Sequence, residues 1–436
     1  MWEEQGYRPD EYGHWLKGGW QPYSGPQNIL HRPKGLILSA DGQAAIPVDD
    51  VEDVALPLYQ GAMIYHFDFC AAAYRQIEGK RGFKWIPMSW DAKQVQPQYL
   101  MGRDDYRQEG NLPGFSKPVI RDIASSTNER TLVSAVVPGR PCGHTLAELR
   151  TTGGFEDGLI SVLNSFVLDF SIRMRMVGSH LILYVLGDLP LLCRAEISSG
   201  ALLLRLGRGL MRPAEVYSRD WLPSRSGVAW RAQWARTPAE RLRCRALSEA
   251  LIAHEFGLSE REFGDVVADC DHPTKALASK PFSRTLDTKG FWRFEKDKDP
   301  ELRIAVLAQV AFRELERVGL RDFLQMNDGE GWMLPETLRL ADYGLGHDDR
   351  AKEPQPVASR LGPRFYDWQL EQGVDESWEE CERHAEILDR ILPSKQDVPE
   401  PTNEDGETSA PTDLFGNPLP TDLFGNVLLP QKKGRR

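Results

Sequence analysis

Between residues 121 and 130 the chain reads RDIASSTNER, setting the ionisable side chains of Arg121, Asp122, Glu129 and Arg130 among hydroxyls and the amide of Asn128. Arginine presents a planar fork of donors that matches phosphate oxygens and the edge of guanine, and asparagine carries the donor and acceptor that match adenine. One chemistry open to this loop is therefore directional recognition of nucleic acid by Arg121, Asn128 and Arg130. The other is internal, with Asp122 and Glu129 pairing with the two arginines to brace the loop. Further along, Arg173 and Arg175 fall at the end of a predicted helix, followed by His180. There they are placed either to approach DNA or to satisfy the last carbonyls of that helix.

Equipment for catalysis is not visible. The chain contains no GxGxxG or GxxxxGK[ST] loop, no HExxH and no GxSxG, and LRLGRGLMRP (204–213) has its glycines at the wrong spacing for a phosphate cradle. His66 with Asp68, and Cys142 with His144, form pairs that lack further ligands or a third catalytic member, so a structural role is expected for each. No residue is assigned to catalysis, to a cofactor or to a metal. Separated acidic residues that converge in space keep a metal-dependent defence nuclease as an alternative.

The charge is uneven. In a 436-residue chain of net charge -11, residues 371–411 hold thirteen acidic against three basic residues, whereas 194–243 hold ten arginines, no lysine and four acidic residues. An Arg-rich segment suits fork-like contacts to a polyanion, because the field that matters is local. The six cysteines are dispersed without a CxxC pair, nothing resembles a signal peptide, and no apolar run reaches membrane-spanning length. A cytoplasmic protein without membrane association is expected.

The elements that must position these residues form an α+β pattern. Residues 1–54 read as an irregular lead-in, 55–210 as a mixed strand and helix region, 211–237 as a linker, and 238–370 as mainly helical. Residues 371–436 read as an acidic, disordered tail. RTLVSAVVP (130–138) predicts a strand that fixes the charged loop, by its β-branched run and closing proline. Apolar positions at Leu159, Val162, Leu163, Phe166, Val167 and Phe170 predict one helix over 154–175, and SHLILYVLGDLPLL (179–192) then returns to a strand pattern. Thr237-Pro238 opens a helix to about 255, Ser259 with Glu262 caps the next, and another is expected over about 300–317. The tail repeats TDLFGN at 412 and 421, pairing Leu414/Phe415 with Leu423/Phe424 as anchors for a docking partner, or as a duplication without function.

Four stretches together resemble one family: PLYQGAMIYHFDF (57–69), VIRDIASSTNERTLVSAVVP (119–138), LISVLNSFVLDFSIRMRMVGSHLILYVLGDLPLL (159–192) and LRCRALSEALIAHEFGLSEREFGDVV (242–267). Over residues 55–320 they are similar to the C-terminal, target-recognition half of Eco57I-like adenine-specific DNA methyltransferases of restriction-modification and phage-defence systems. Phe67 and Asp68 match the family's Phe-Asp-His-Arg, whereas Phe69 and Cys70 depart from it. Arg121-Asp122, the Thr-x-Glu-Arg-Thr of Thr127 to Thr131, Asn164-Ser165, Gly178, His180 and Leu189-Pro190 also match. The family's catalytic half, with its glycine-rich loop and NPPY motif, has no counterpart here. The resemblance thus implies sequence-specific recognition of double-stranded DNA by this chain, with S-adenosylmethionine bound by a separate catalytic subunit or, if the chain is a truncated product, by the half removed from it. A noncatalytic assembly protein of a phage-defence complex, using the repeated tail, is the remaining alternative.

Overall fold

In the computed structural model the described residues are 2–77, 82–108, 116–126, 128–149, 155–176, 178–181, 183–192, 197–268, 295, 297–345 and 349–393. Their first part is not an irregular lead-in. Short strands β1 (Tyr7–Pro9), β2 (Trp15–Gly18), β3 (Gln21–Pro22), β4 (Leu36–Leu38), β5 (Ala44–Pro47) and β6 (Val51–Pro57) build two antiparallel sheets, ordered β3-β5-β4 and β1-β2-β6-β9, the latter closed by β9 (Leu100–Gly102). Glycine and proline cut the strands too short to show a sequence period, but Leu16, Ile37, Ile46, Val54 and Leu56 all point into one core. Between them β7 (Ala72–Gln76) and β8 (Phe83–Pro87) form a hairpin.

After α1 (Arg103–Gln108) comes the sheet that carries the charged loop. Its central strand β10 (Lys117–Arg121) pairs antiparallel with β11 (Ser134–Val137) and β12 (Leu146–Glu148), with Ile120 opposite Ser134 and Arg121 opposite Leu146. All four residues of β11 are buried, which confirms the predicted strand and fixes where the loop returns.

The single helix expected over 154–175 is two helices, α2 (Glu156–Leu163) and α3 (Phe166–Arg173). Asn164 breaks them: its Oδ1 accepts from the Ser134 amide at 3.0 Å and its Nδ2 donates to the Ser134 carbonyl at 2.9 Å, so its side chain pairs with β11. Ser165 then caps α3 by accepting from the Leu168 amide. Short polar side chains commonly compete with the helix ladder in this way. The strand expected after Gly178 is also corrected. Among the described residues of this stretch only an isolated bridge between Ile123 and His180 forms, and Leu183–Gly187 is the short helix α4. A brief apolar run does not by itself distinguish strand from helix.

Helix α5 (Gly200–Met211) crosses α2 at Gly207, where a Cβ would lie 2.7 Å from the Asp157 carbonyl oxygen. Its glycines therefore serve helix packing. Residues 211–237 are no linker: they run through α6 (Ser218–Trp221), and Trp221, Trp230 and Trp234 are all fully buried. Helix α7 (Pro238–Glu255) begins as predicted, with the Thr237 hydroxyl accepting from the Glu240 amide, and α8 (Glu260–Ala268) begins at the predicted Ser259–Glu262 box. Helix Ile304–Val318 lies along α7.

Helix Val374–Ile391 overturns the start of the expected disordered tail. Trp378 is fully buried, its indole donating to the Val228 carbonyl at 3.0 Å, and Ile387, Leu388 and Ile391 complete the core of the first sheets. The uneven charge is explained here. Arg219 pairs with Asp389 at 2.8 Å, Arg225 with Glu382 at 2.5 Å, and Arg231 with Glu380 at 2.5 Å and Glu215 at 3.0 Å. Three of the ten arginines are thus matched by the acidic segment. The TDLFGN repeat lies outside the described residues.

If this helix is integral, Trp378→Ala costs about 3–5 kcal/mol of stability. A chain ended at Pro393 melts like the full chain in calorimetry, while one ended at Gly373 loses the cooperative transition.

Candidate nucleic-acid interface

The charged loop hangs between β10 and β11, and buried polar groups decide its shape. Arg130 is only 1% exposed. Its Nη2 lies 3.3 Å from Glu249 Oε1, and its guanidinium packs 3.9 Å above the Phe166 ring. Glu249, on α7, also accepts from the Phe166 amide at 2.7 Å, so one carboxylate ties the loop to the starts of α3 and the middle of α7. A buried charge is tolerable only when paired in this manner.

Asp169 of α3 makes the second anchor. Its Oδ1 accepts from the backbone amides of Thr131 and Leu132 at 2.7 and 2.8 Å, and its Oδ2 accepts from Arg173 Nε at 2.7 Å. Arg173 in turn donates to the carbonyls of Ser126, Asn128 and Glu129 at 3.3, 2.8 and 2.7 Å. The loop's own carbonyls, rather than an external anion, occupy this guanidinium.

These anchors correct two expectations of DNA contact, because Arg130 and Arg173 brace the loop from within. Arg175 is exposed but donates to the Ser171 carbonyl at 2.8 Å, which ties it to the end of α3. His180 Nδ1 lies 2.7 Å from Asp122 Oδ2 with its side chain largely open to solvent, at the edge where Ile123 bridges it.

Arg121 and Asn128 remain. Both line an open hollow of about 700 Å³ together with Tyr65, Ile123, Glu129 and Thr145. Arg121 Nε donates to the Ile123 carbonyl at 3.1 Å and the guanidinium stands 5.9 Å from the Tyr65 ring centre. Neither its Nη atoms nor the Asn128 side-chain amide has a partner among the described residues. Gly61 permits the arrangement, since a Cβ there would meet Arg121 Cγ at 3.0 Å and the Thr145 carbonyl at 3.1 Å. Tyr65 donates to Glu129 Oε2 at 2.8 Å, and burial followed by that carboxylate pushes its phenol well above the usual range. Burial also holds the Arg121 guanidinium below its ordinary value, while leaving it a cation. Ile123, 51% exposed, adds an apolar wall suited to a base or a thymine methyl.

The residues matched around Phe67 act behind this surface. Phe67 is buried with a left-handed φ of 59°, and its carbonyl accepts from buried Arg241 at 3.0 Å. Asp68 pairs with Lys93 at 2.6 Å, and His66 Nε2 lies 2.6 Å from the Asn164 carbonyl oxygen. His66 and Asp68 thus have separate structural partners. Among the described residues no three His, Cys, Asp or Glu side chains gather as a metal site, and no helix is long and apolar enough to cross a membrane. Residues that sequence reasoning missed are Tyr65, Asp169 and Glu249. The motif stretches contained all three, but only their convergence in space assigns them to the loop.

No family model, no curated protein and no solved structure matches the chain.

Two outcomes follow from the anchors. Arg173→Gln lowers stability by about 1–3 kcal/mol and speeds amide hydrogen exchange at Thr131 and Leu132 far more than in α7. Burial pushes the Glu249 carboxyl up to about 7 from an ordinary 4.5, against Arg130 and the Phe166 amide, which favour its ionised form. Because the folded state holds this proton more tightly, the associated stability is full below pH 4.5 and is lost as pH rises through 7. Denaturant titrations across that range show the decline in the wild type and a flatter profile in Glu249→Gln.

Proposed function

We propose that this chain is the sequence-reading component of an adenine-specific, S-adenosylmethionine-dependent DNA methyltransferase, working with a separate subunit that holds the methyl donor. The observation that carries the reading is the hollow beside β10, where the Arg121 Nη atoms and the Asn128 side-chain amide have no hydrogen-bond partner among the described residues, next to a segment that buried charges anchor. An arginine fork and an amide beside an apolar wall are the groups that discriminate base edges in duplex DNA. The resemblance of residues 55–320 to target-recognition halves supplies the adenine-specific part of the reading.

In this division of labour the chain fixes the register of the duplex, and the partner receives the adenine. That base must leave the stack, at a cost of a few kcal/mol that protein contacts offset. Rigidity in the reading loop matters because each ordered side chain then loses little conformational freedom on binding.

The test is recovery of partners from the native source by pull-down, followed by DNA-binding and methyl-transfer assays with and without them. The complex binds one short duplex sequence preferentially, and Arg121→Gln or Asn128→Ala reduces discrimination at a single base pair by about 1–3 kcal/mol. Methyl transfer by the purified chain alone overturns the division of labour, and a complex without sequence preference overturns the reading role.

A further inference from the structure

The Arg-rich segment is mostly consumed by internal pairs, but not wholly. Between α5, α7 and the turn before Glu330 lies a cleft of about 420 Å³, walled by Arg205, Arg208, Arg243 and Arg364 against Glu240 and Glu330. Three of these arginines are matched. Arg243 Nη2 and Arg364 Nε bind Glu240 at 2.7 and 2.8 Å, Arg364 also pairs with Glu330, and Arg208 binds Asp157 at 3.1 Å.

Arg205 is the exception. It is exposed, and its Nη2 donates at 2.5 Å to the Gly329 carbonyl, with no carboxylate partner among the described residues. That carbonyl is presented by a turn in which Asn327, Asp328 and Gly329 have φ of 53°, 58° and 82°. Consecutive left-handed residues are costly outside glycine, so the turn is held by its surroundings rather than by local preference. Partial burial, then the field of Arg243, lowers the Arg205 guanidinium from its ordinary value.

We propose that this cleft seats one backbone phosphodiester of the nucleic acid, with Arg205 as the binding cation and the acid-paired arginines framing it. The inference rests on the DNA-binding reading above and names a second contact for it. One unmatched guanidinium fits the single negative charge of a phosphodiester better than the multiple charges of a free nucleoside triphosphate. The carbonyl on one nitrogen of Arg205 fixes the fork while leaving other donors for phosphate oxygens, a geometry that arginine provides and a point charge does not. Such a contact is indifferent to sequence and contributes affinity and register.

The experiment measures binding of a duplex by the full chain, within the recovered complex where there is one, as a function of salt. Each neutralised phosphate contributes about -0.9 to the slope of log K against log salt. Arg205→Gln makes the slope shallower by about that amount and weakens matched and unmatched duplexes by the same factor, while Arg205→Lys retains the slope. Calorimetry reports what the lost bond to the Gly329 carbonyl costs in each variant, and the slopes are compared at a temperature where both are fully folded. An unchanged slope in Arg205→Gln, with DNA binding intact, overturns this assignment and leaves the role of the hollow standing. Conversely, a sequence-indifferent complex whose slope still falls in Arg205→Gln overturns the reading role and supports the phosphate contact. A chain and complex that bind no duplex overturn both, and competition by a nucleoside triphosphate at concentrations that leave duplex contacts elsewhere undisturbed replaces the phosphodiester with a free nucleotide.

Discussion

The placement of Arg130 beside Glu249 is the constraint from which the loop geometry follows. A guanidinium taken out of water needs a carboxylate and a packed face, and the fold provides both from helices far apart in sequence. Once Arg130 is fixed, Thr131 and Leu132 reach Asp169, and Asp169 orients Arg173 onto the carbonyls of the preceding turn. Residues 128–132, though outside regular structure, are thereby tied to α3 and α7. Arg121 stands at the end of β10, and the Asn128 carbonyl is held by Arg173.

The same logic operates at larger scale in the pairing of residues 219–231 with the helix Val374–Ile391. Opposite charges there join the last described helix to the tryptophan-rich segment, and that helix also completes the core beneath the first sheets. Ion pairs at the rim contribute modestly, since solvent screens them. Trp378 and the apolar face of the helix supply the larger share, and the charges set its register.

Parts of this were legible in the sequence because their causes are local. The Thr237-Pro238 start of α7, the Ser259–Glu262 box and the strand at 134–137 each depend on a few adjacent residues. The loop's position ahead of a buried strand was legible for the same reason. By contrast, the break at Asn164 depends on Ser134, thirty positions away in sequence. Composition identifies a surplus of arginine but not its partner, so Arg219, Arg225 and Arg231 read as a surface for polyanions until the acidic helix is placed against them. Likewise Arg130 and Asn128 are near neighbours in sequence with opposite placements, and only the packing of α3 and α7 separates the buried guanidinium from the amide that lines the hollow.

The most direct measurement of whether this braced loop meets DNA places a photo-crosslinking amino acid at position 128, with a control at exposed position 370, which is no part of the hollow, and maps the products on a duplex carrying the preferred site. An outward loop that reads bases gives crosslinks from position 128 confined to nucleotides inside that site, and none from the control. Crosslinks from position 128 that go only to protein, or are scattered along the duplex without regard to the site, contradict it.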